Sequence, residues 1–350
     1  MKRIPTLILV LLVIISCSKE YTPRNIENIE IQEFKIDSTS IRAIVAINDS
    51  TLYFAGSRGD FSKTTNAGKS WNTKYITHQD SIIPNFRSLA KNDDAFFALS
   101  ITNPALLYKI THYKTELVYN ENHPKVFYDA IHFFKDKKHG IAVGDPTENC
   151  ASIIITSDGG NTWEKILCEN LPSFEEGEAF FAASNTNIKI IDKTVWIASG
   201  GKKARILKSD NFGKTWQIFN TPIIQGNGSQ GIYSIDFSDK NNGIIIGGDY
   251  SKPLENKANK AITNDGGKTW TLVADNLNPN YKSCVQYVPN TQGKEVFAVG
   301  KTGISFSNDS GKTWKEVSKD SYYTILFVDK NTAWLGGYQK IGKLNLKITK

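Results

Sequence analysis

Apolar and polar residues alternate in short bursts along most of this chain. Runs such as GIYSIDF (231–237) and IIIGG (244–248) are broken by clusters of Gly, Asn, Asp, Ser and Lys. Such a pattern predicts short antiparallel strands joined by tight turns. One turn recurs: TTNAGKSW (64–71), TSDGGNTW (156–163), SDNFGKTW (209–216), TNDGGKTW (263–270) and SNDSGKTW (307–314). Its glycines supply positive φ without a side-chain penalty, and its Ser/Thr-Trp opens the next strand. The interval between Trp71 and Trp163 is about twice the later ones, so an eroded copy is expected in LLYKITHYKTELVY (106–119).

Each unit reads as an apolar strand, a polar turn, a strand ending in glycine, a variable loop, a third strand, the Asp-Gly turn and a fourth strand. Four strands per roughly 45 residues is the pattern of a propeller blade. A last unit from Tyr322 onward supplies three strands, and an unpaired strand, IENIEIQEFKI (26–36), precedes the first. The expectation is therefore an all-β, seven-bladed β-propeller over 28–350, with the N-terminal strand completing the last blade and closing the ring. Asn66, Asp158, Asn211, Asp265 and Asp309 each occupy the same turn position. A carbonyl oxygen there can accept backbone N–H bonds, so their recurrence marks them as structural.

A 40% hydrophobic content fits a folded chain. The net charge of +7 is spread over scattered lysines with no basic run interleaved with aromatics, so no nucleic-acid partner is expected. The N-terminus is different. MKR precedes twelve apolar residues, IPTLILVLLVII, followed by Ser16-Cys17. That run is shorter than the roughly 20 residues a membrane span needs and suits a signal peptide. The end of the run resembles the bacterial lipobox. This resemblance implies a signal peptide over 1–16, acylated Cys17 and a tether over 17–27. Ser18 does not favour inner-membrane retention, so the expected place is the outer membrane, held by the N-terminal lipid alone. Cys150 and Cys168 are equidistant from the turn near residue 159 and read either as a disulfide or as two buried thiols. Cys284 reads as a free core residue. No cysteine or histidine spacing fits a metal or cofactor site, and none is expected.

In a propeller the inner strands begin at one mouth of the central channel. Aligning them places Arg42, Arg87, Asp129, Glu178, Tyr233, Ser283 and Tyr323 at one level. Two of the chain's six arginines fall in this set. Nearby loops add Arg58, Asp145, Lys202, Lys203, Arg205, Asp249, Tyr250 and Lys301. The arginines can clamp an anion with forked hydrogen bonds. Asp129 or Glu178 can act as acid or base beside Tyr233. Wet strand starts carry polar residues for solvation alone, so the set also fits a plain channel mouth.

The repeated turn resembles the Asp-box of BNR-repeat propellers. VGDPTENCASIIITSDGGNTW, GEAFFAASNTNIKI, WIASGGKKARILKSDNFGKTW and GIYSIDFSDKNNGIIIGGDY resemble the photosystem II stability/assembly factor-like family, some members of which carry an oxidoreductase label. That family implies a non-enzymatic binding or assembly role. No Gly-rich dinucleotide fingerprint or haem or iron–sulfur ligand set supports the redox label. Sialidases share the Asp-box and use a Tyr–Glu pair, an Asp acid/base and three arginines. Tyr233, Glu178, Asp129, Arg42 and Arg87 resemble that set, with Arg58 or Arg205 as the third arginine. The expected function is binding of a protein partner or an anionic or glycan ligand at the funnel. The alternative is a sialidase-like glycoside hydrolase.

Overall fold

The computed structural model describes residues 21–346, so the signal segment and Cys17 lie outside the described residues. Apart from one 3-10 turn, Cys168–Asn170, every regular element among the described residues is a β-strand. All the strand pairs are antiparallel. No helix among them is long and apolar enough to cross a membrane.

The strands form six hydrogen-bonded sheets, four of four strands and two of six. The expectation of seven separate blades is corrected by this count. The reason lies in the opening strand, Glu30–Ala46, which is continuous over 17 residues. Its first half pairs with the closing strand Thr332–Asn345, from Glu30 opposite Asn345 to Lys35 opposite Lys340. Its second half pairs with Leu52–Gly56, from Ile41 opposite Gly56 to Ala46 opposite Leu52. The sequence units at the two ends of the chain are thereby fused into one six-stranded sheet. Ser38 has φ +63 at the junction, where the strand changes partners.

The inner strands stand side by side around an axis. The opening strand touches Phe86–Lys91, which touches Tyr128–Phe133, then Ile188–Ile191, Gln230–Phe237, Cys284–Tyr287 and Thr324–Phe327, which returns to the opening strand. Apolar side chains fill the wedges between neighbouring sheets. Phe97, Leu99 and Leu107 of one sheet meet Ile131, Ala142 and Ile154 of the next, for example.

The repeated turns are the rivets of these wedges. In 263–270 the Thr263 hydroxyl donates to Asp265 Oδ1 at 2.8 Å and accepts the Gly267 N–H at 3.0 Å. Asp265 Oδ1 also accepts the Lys268 and Thr269 N–H groups, and Oδ2 accepts the Thr269 hydroxyl at 2.6 Å. Trp270 Nε1 donates to the Gly267 carbonyl. Asp158 and Asp309 repeat the carboxylate pattern. Asn66 and Asn211 reverse one bond: their Nδ2 donates to the Ser70 and Thr215 hydroxyls. Partial burial pushes Asp158 and Asp265 up, but the hydroxyl and amide donors outweigh it and hold both at about 2. The carboxylates are thus consumed by their own turns. A disulfide joins Cys150 and Cys168 just beyond the ends of the strand pair that carries the second of these turns.

The glycine at the fifth position of each copy (Gly68, Gly160, Gly213, Gly267 and Gly311) also faces the preceding sheet. Gly160 has φ +81, and a Cβ there would sit 2.3 Å from the fully buried Phe97 ring. Its neighbour Gly159 has φ +75 but open space, with no atom closer than 3.6 Å. Gly160→Ala should therefore cost about 2–4 kcal/mol, and Gly159→Ala only about 1–2 kcal/mol, from backbone strain alone. Urea denaturation of the two variants measures the difference. Equal losses would mean the contact between sheets contributes nothing.

Candidate ligand-binding cup

Strand direction brings the starts of the inner strands to one mouth of the axis, where they line a cavity of about 500 Å³. Arg42, Arg87, Tyr233, Ser283 and Tyr323 are all in its wall, joined by Asp145, Tyr250, Tyr281 and Lys301 from neighbouring loops. The floor is the segment Phe180–Thr186, which lies across the axis. Arg42 donates to the Ala183 carbonyl at 3.0 Å, and the Ser184 hydroxyl donates to the Ser283 carbonyl. Thr324 donates to the Ser184 carbonyl, and Thr186 shares a hydrogen bond with Ser234. Asn185, at φ +60, accepts the Ile131 N–H and donates to the Leu89 carbonyl. Every neighbouring inner strand therefore holds the floor in place. Its underside, from Ser184 to Thr186, lines a smaller hollow of about 330 Å³ at the opposite mouth.

The wall has two chemistries. One side is aromatic: Phe181 and Tyr233 stack at 3.9 Å, and Tyr281 meets Tyr233 edge-on at 4.9 Å. The other side is cationic. The Arg42 guanidinium lies 3.9 Å over the Tyr323 ring. Burial lowers the Arg42 pKa, and Tyr323 and Tyr281 offset part of this. Burial, and then the Arg42 charge, lower Arg87 to about 10. Both remain cationic at neutral pH. Neither Nε has a hydrogen-bond partner.

Asp129 lies beneath this side, fully buried and outside the cavity wall. Neither carboxylate oxygen completes a hydrogen bond. Burial, and then the Asp145 charge, push its carboxyl well above the usual range, against the pull of Arg87 and the Ala182 N–H. Asp145 is raised to about 6 by burial, although it accepts the Phe180 N–H at 2.7 Å.

Other expected members stand apart. Glu178 is drawn away from the cup into a buried ion pair with Arg205 at 2.5 Å and accepts the Ser199 hydroxyl. The alignment expected the run from Glu178 to be an inner strand. Instead, Glu178–Ala179 pairs only with Gly200–Gly201 at the edge of the next sheet, and the inner strand at this place in the ring is Ile188–Ile191. Asp249 caps its own loop through Ser251. Arg58 is exposed on a loop outside the wall. Tyr233 donates its hydroxyl to the Ser229 carbonyl, and burial, then Tyr281, drive its pKa far up. The catalytic candidates Asp129, Glu178 and Tyr233 are therefore not brought together on one open surface. Sequence reasoning missed Phe181 and Tyr281. The signal for Tyr281 was its place two residues before Ser283.

No protein-family model matches this sequence, and no curated protein matches it. Solved structures do share its fold. One described as YCF48 bound to D1 peptide superposes with a TM-score of 0.66 at 14% identity, covering 92% of this chain and all, 100%, of that one. YCF48 from Cyanidioschyzon merolae gives 0.62 at 14% identity, covering 90% and 98%. The WD40 repeats of RRP9 give 0.65 at 10% identity, covering 91% and 100%. At these identities the likeness defines the fold. The chain is a β-propeller with a blind cup at one end of its axis.

Burying Asp129 and Asp145 sets a pH dependence with a definite sign. A carboxyl raised in the folded state favours folding most below its unfolded pKa of about 3.9, and that advantage falls as pH rises toward the folded value. For Asp145 the window closes near 6. Asp145→Asn keeps the acceptor for Phe180. It should gain on the order of 2–3 kcal/mol relative to wild type between about pH 4 and 7. Urea midpoints across that range test this; parallel curves for the two proteins would contradict it.

Proposed function

We propose that this propeller is a lipid-anchored binding protein of the bacterial cell envelope whose cup holds an anionic group of a protein partner. One observation carries the reading. Arg42 and Arg87 both line the cavity, and among the described residues neither forms a salt bridge with a carboxylate. Two guanidiniums beside a blind, partly aromatic cup suit a carboxylate or phosphate.

The partner class draws support from a similar propeller described as bound to a peptide. The repeated turns support kinship with Asp-box, BNR-type propellers and with photosystem II assembly factor-like proteins. Anchoring rests on the sequence IPTLILVLLVIISC, with Cys17 as the acylated residue and the outer membrane as the expected site. The Phe181–Tyr233–Tyr281 wall favours a second reading, an acidic glycan whose sugar ring lies on the aromatics. Hydrolysis is not part of either reading, because Glu178 is committed to Arg205 and Asp129 is sealed behind the wall.

Calorimetric titration of the purified propeller with a panel of extended Asp- and Glu-containing peptides, and with oligogalacturonates, tests the assignment. At least one acidic probe should bind. Arg87→Gln or Arg42→Gln should weaken it by about tenfold or more, and added salt should weaken it further. No binding of any acidic probe, or unchanged binding in the folded double variant, would contradict the proposal.

A further inference from the structure

The chain preceding the opening strand is docked on the propeller. Arg24 forms a bidentate pair with Glu295, its Nε donating to Oε1 and its Nη2 to Oε2, and the Glu295 side chain is completely buried. Arg24 also donates to Asn331 Oδ1 and to the Lys330 carbonyl. Tyr21 donates its hydroxyl to Glu295, and its own N–H donates to Gln292. Asn308 donates to the Arg24 carbonyl, and Lys315 pairs with Glu27. From Tyr21 onward this stretch, expected to be part of a tether, is fixed.

Its place on the molecule is defined by strand direction. Ser283 and Tyr323 stand at the cup and lead into Cys284–Tyr287 and Thr324–Phe327. Gln292, Glu295, Lys330 and Asn331 lie in or at the end of the loops that follow those strands. The arm is therefore riveted to the face opposite the cup, the face that carries the repeated turns. On that face the carboxylates fold inward to cap their loops, as Asp265, Asp309 and Asp239 do. The lysines beside them, Lys214, Lys268 and Lys312, are exposed. Exposed aspartates share this face, among them Asp93, Asp94 and Asp329, so the charge that projects is mixed.

We propose that the turn face rests on the lipid surface and that the cup opens away from it. This rests on the acylation of Cys17 proposed above. Four residues of chain reach at most about 14 Å, so an acyl group at Cys17 holds the turn face that close to the bilayer. Lys214, Lys268 and Lys312 then lie at the level of the headgroups. A partner would approach the cup from the aqueous side.

The test uses the full-length protein purified from membranes and reconstituted in phosphatidylcholine–phosphatidylglycerol vesicles carrying a headgroup nitroxide. Cys150 and Cys168 are disulfide-bonded and Cys284 is buried, so an introduced exposed cysteine takes a fluorophore selectively. A probe at Lys268→Cys should be quenched several-fold more strongly than one at Lys252→Cys, beside the cup. A flexible Gly/Ser insertion between Lys19 and Glu20 leaves the docked arm intact and should abolish the difference. Mass spectrometry of the N-terminal peptide reports acylation separately. An acylated protein with equal quenching at both probes overturns this orientation alone. An unacylated N-terminus overturns both the orientation and the anchoring on which it rests.

Discussion

The ladder that zips Glu30–Lys35 onto Lys340–Asn345 holds the two ends of the chain together. Those hydrogen bonds join residues more than three hundred positions apart, so they form only after the ring between them has wound round. The same opening strand then crosses the top at Ser38 and becomes an inner strand. Arg42 is therefore placed by the closure itself. Its cation–π partner, Tyr323, comes from the end of the chain, and its carbonyl partner, Ala183, from the middle. Half of the cationic wall exists only because the ends meet.

Closure also explains why the cup is blind. An axis lined only by inner strands would leave backbone and side-chain polar groups facing a narrow channel. Phe180–Thr186 fills it and satisfies them, with Asn185 bridging Leu89 and Ile131. Above that floor Arg42 and Arg87 face the cup without a carboxylate partner. Asp129 lies close enough to Arg87 to offset part of its charge without a direct ion pair. In the proposed role, an anion would enter without displacing an existing salt bridge.

Much of this was legible in the residues. The five turns announced themselves because the same oxygen, glycine and tryptophan are needed each time to cap the loop and press it against the preceding sheet. The alignment of strand starts located Arg42, Arg87, Tyr233, Ser283 and Tyr323 correctly at one mouth. It misplaced Glu178 because FFAAS reads as an apolar strand, whereas its pairing partners are replaced by side-chain hydrogen bonds across the axis. The polar run Ser184-Asn185-Thr186-Asn187 reads as a surface loop for the same reason: composition cannot reveal that a polar segment is satisfied in the interior. The count of separate blades failed on a different point. Nothing in the local pattern tells that one strand continues unbroken from the last repeat into the first.

The account stands on that strand being part of the cooperative structure rather than a frayed end, as chain termini often are. Hydrogen exchange followed by mass spectrometry measures this directly. The amides of Ile31–Lys35 and Lys340–Asn345 that bond across this ladder should be protected as strongly as those of Ile244–Ile246 in a central strand and should open only with global unfolding. Rapid exchange of Ile31–Lys35 while the other sheets stay protected would contradict the account, and the geometry assigned to the cup would go with it.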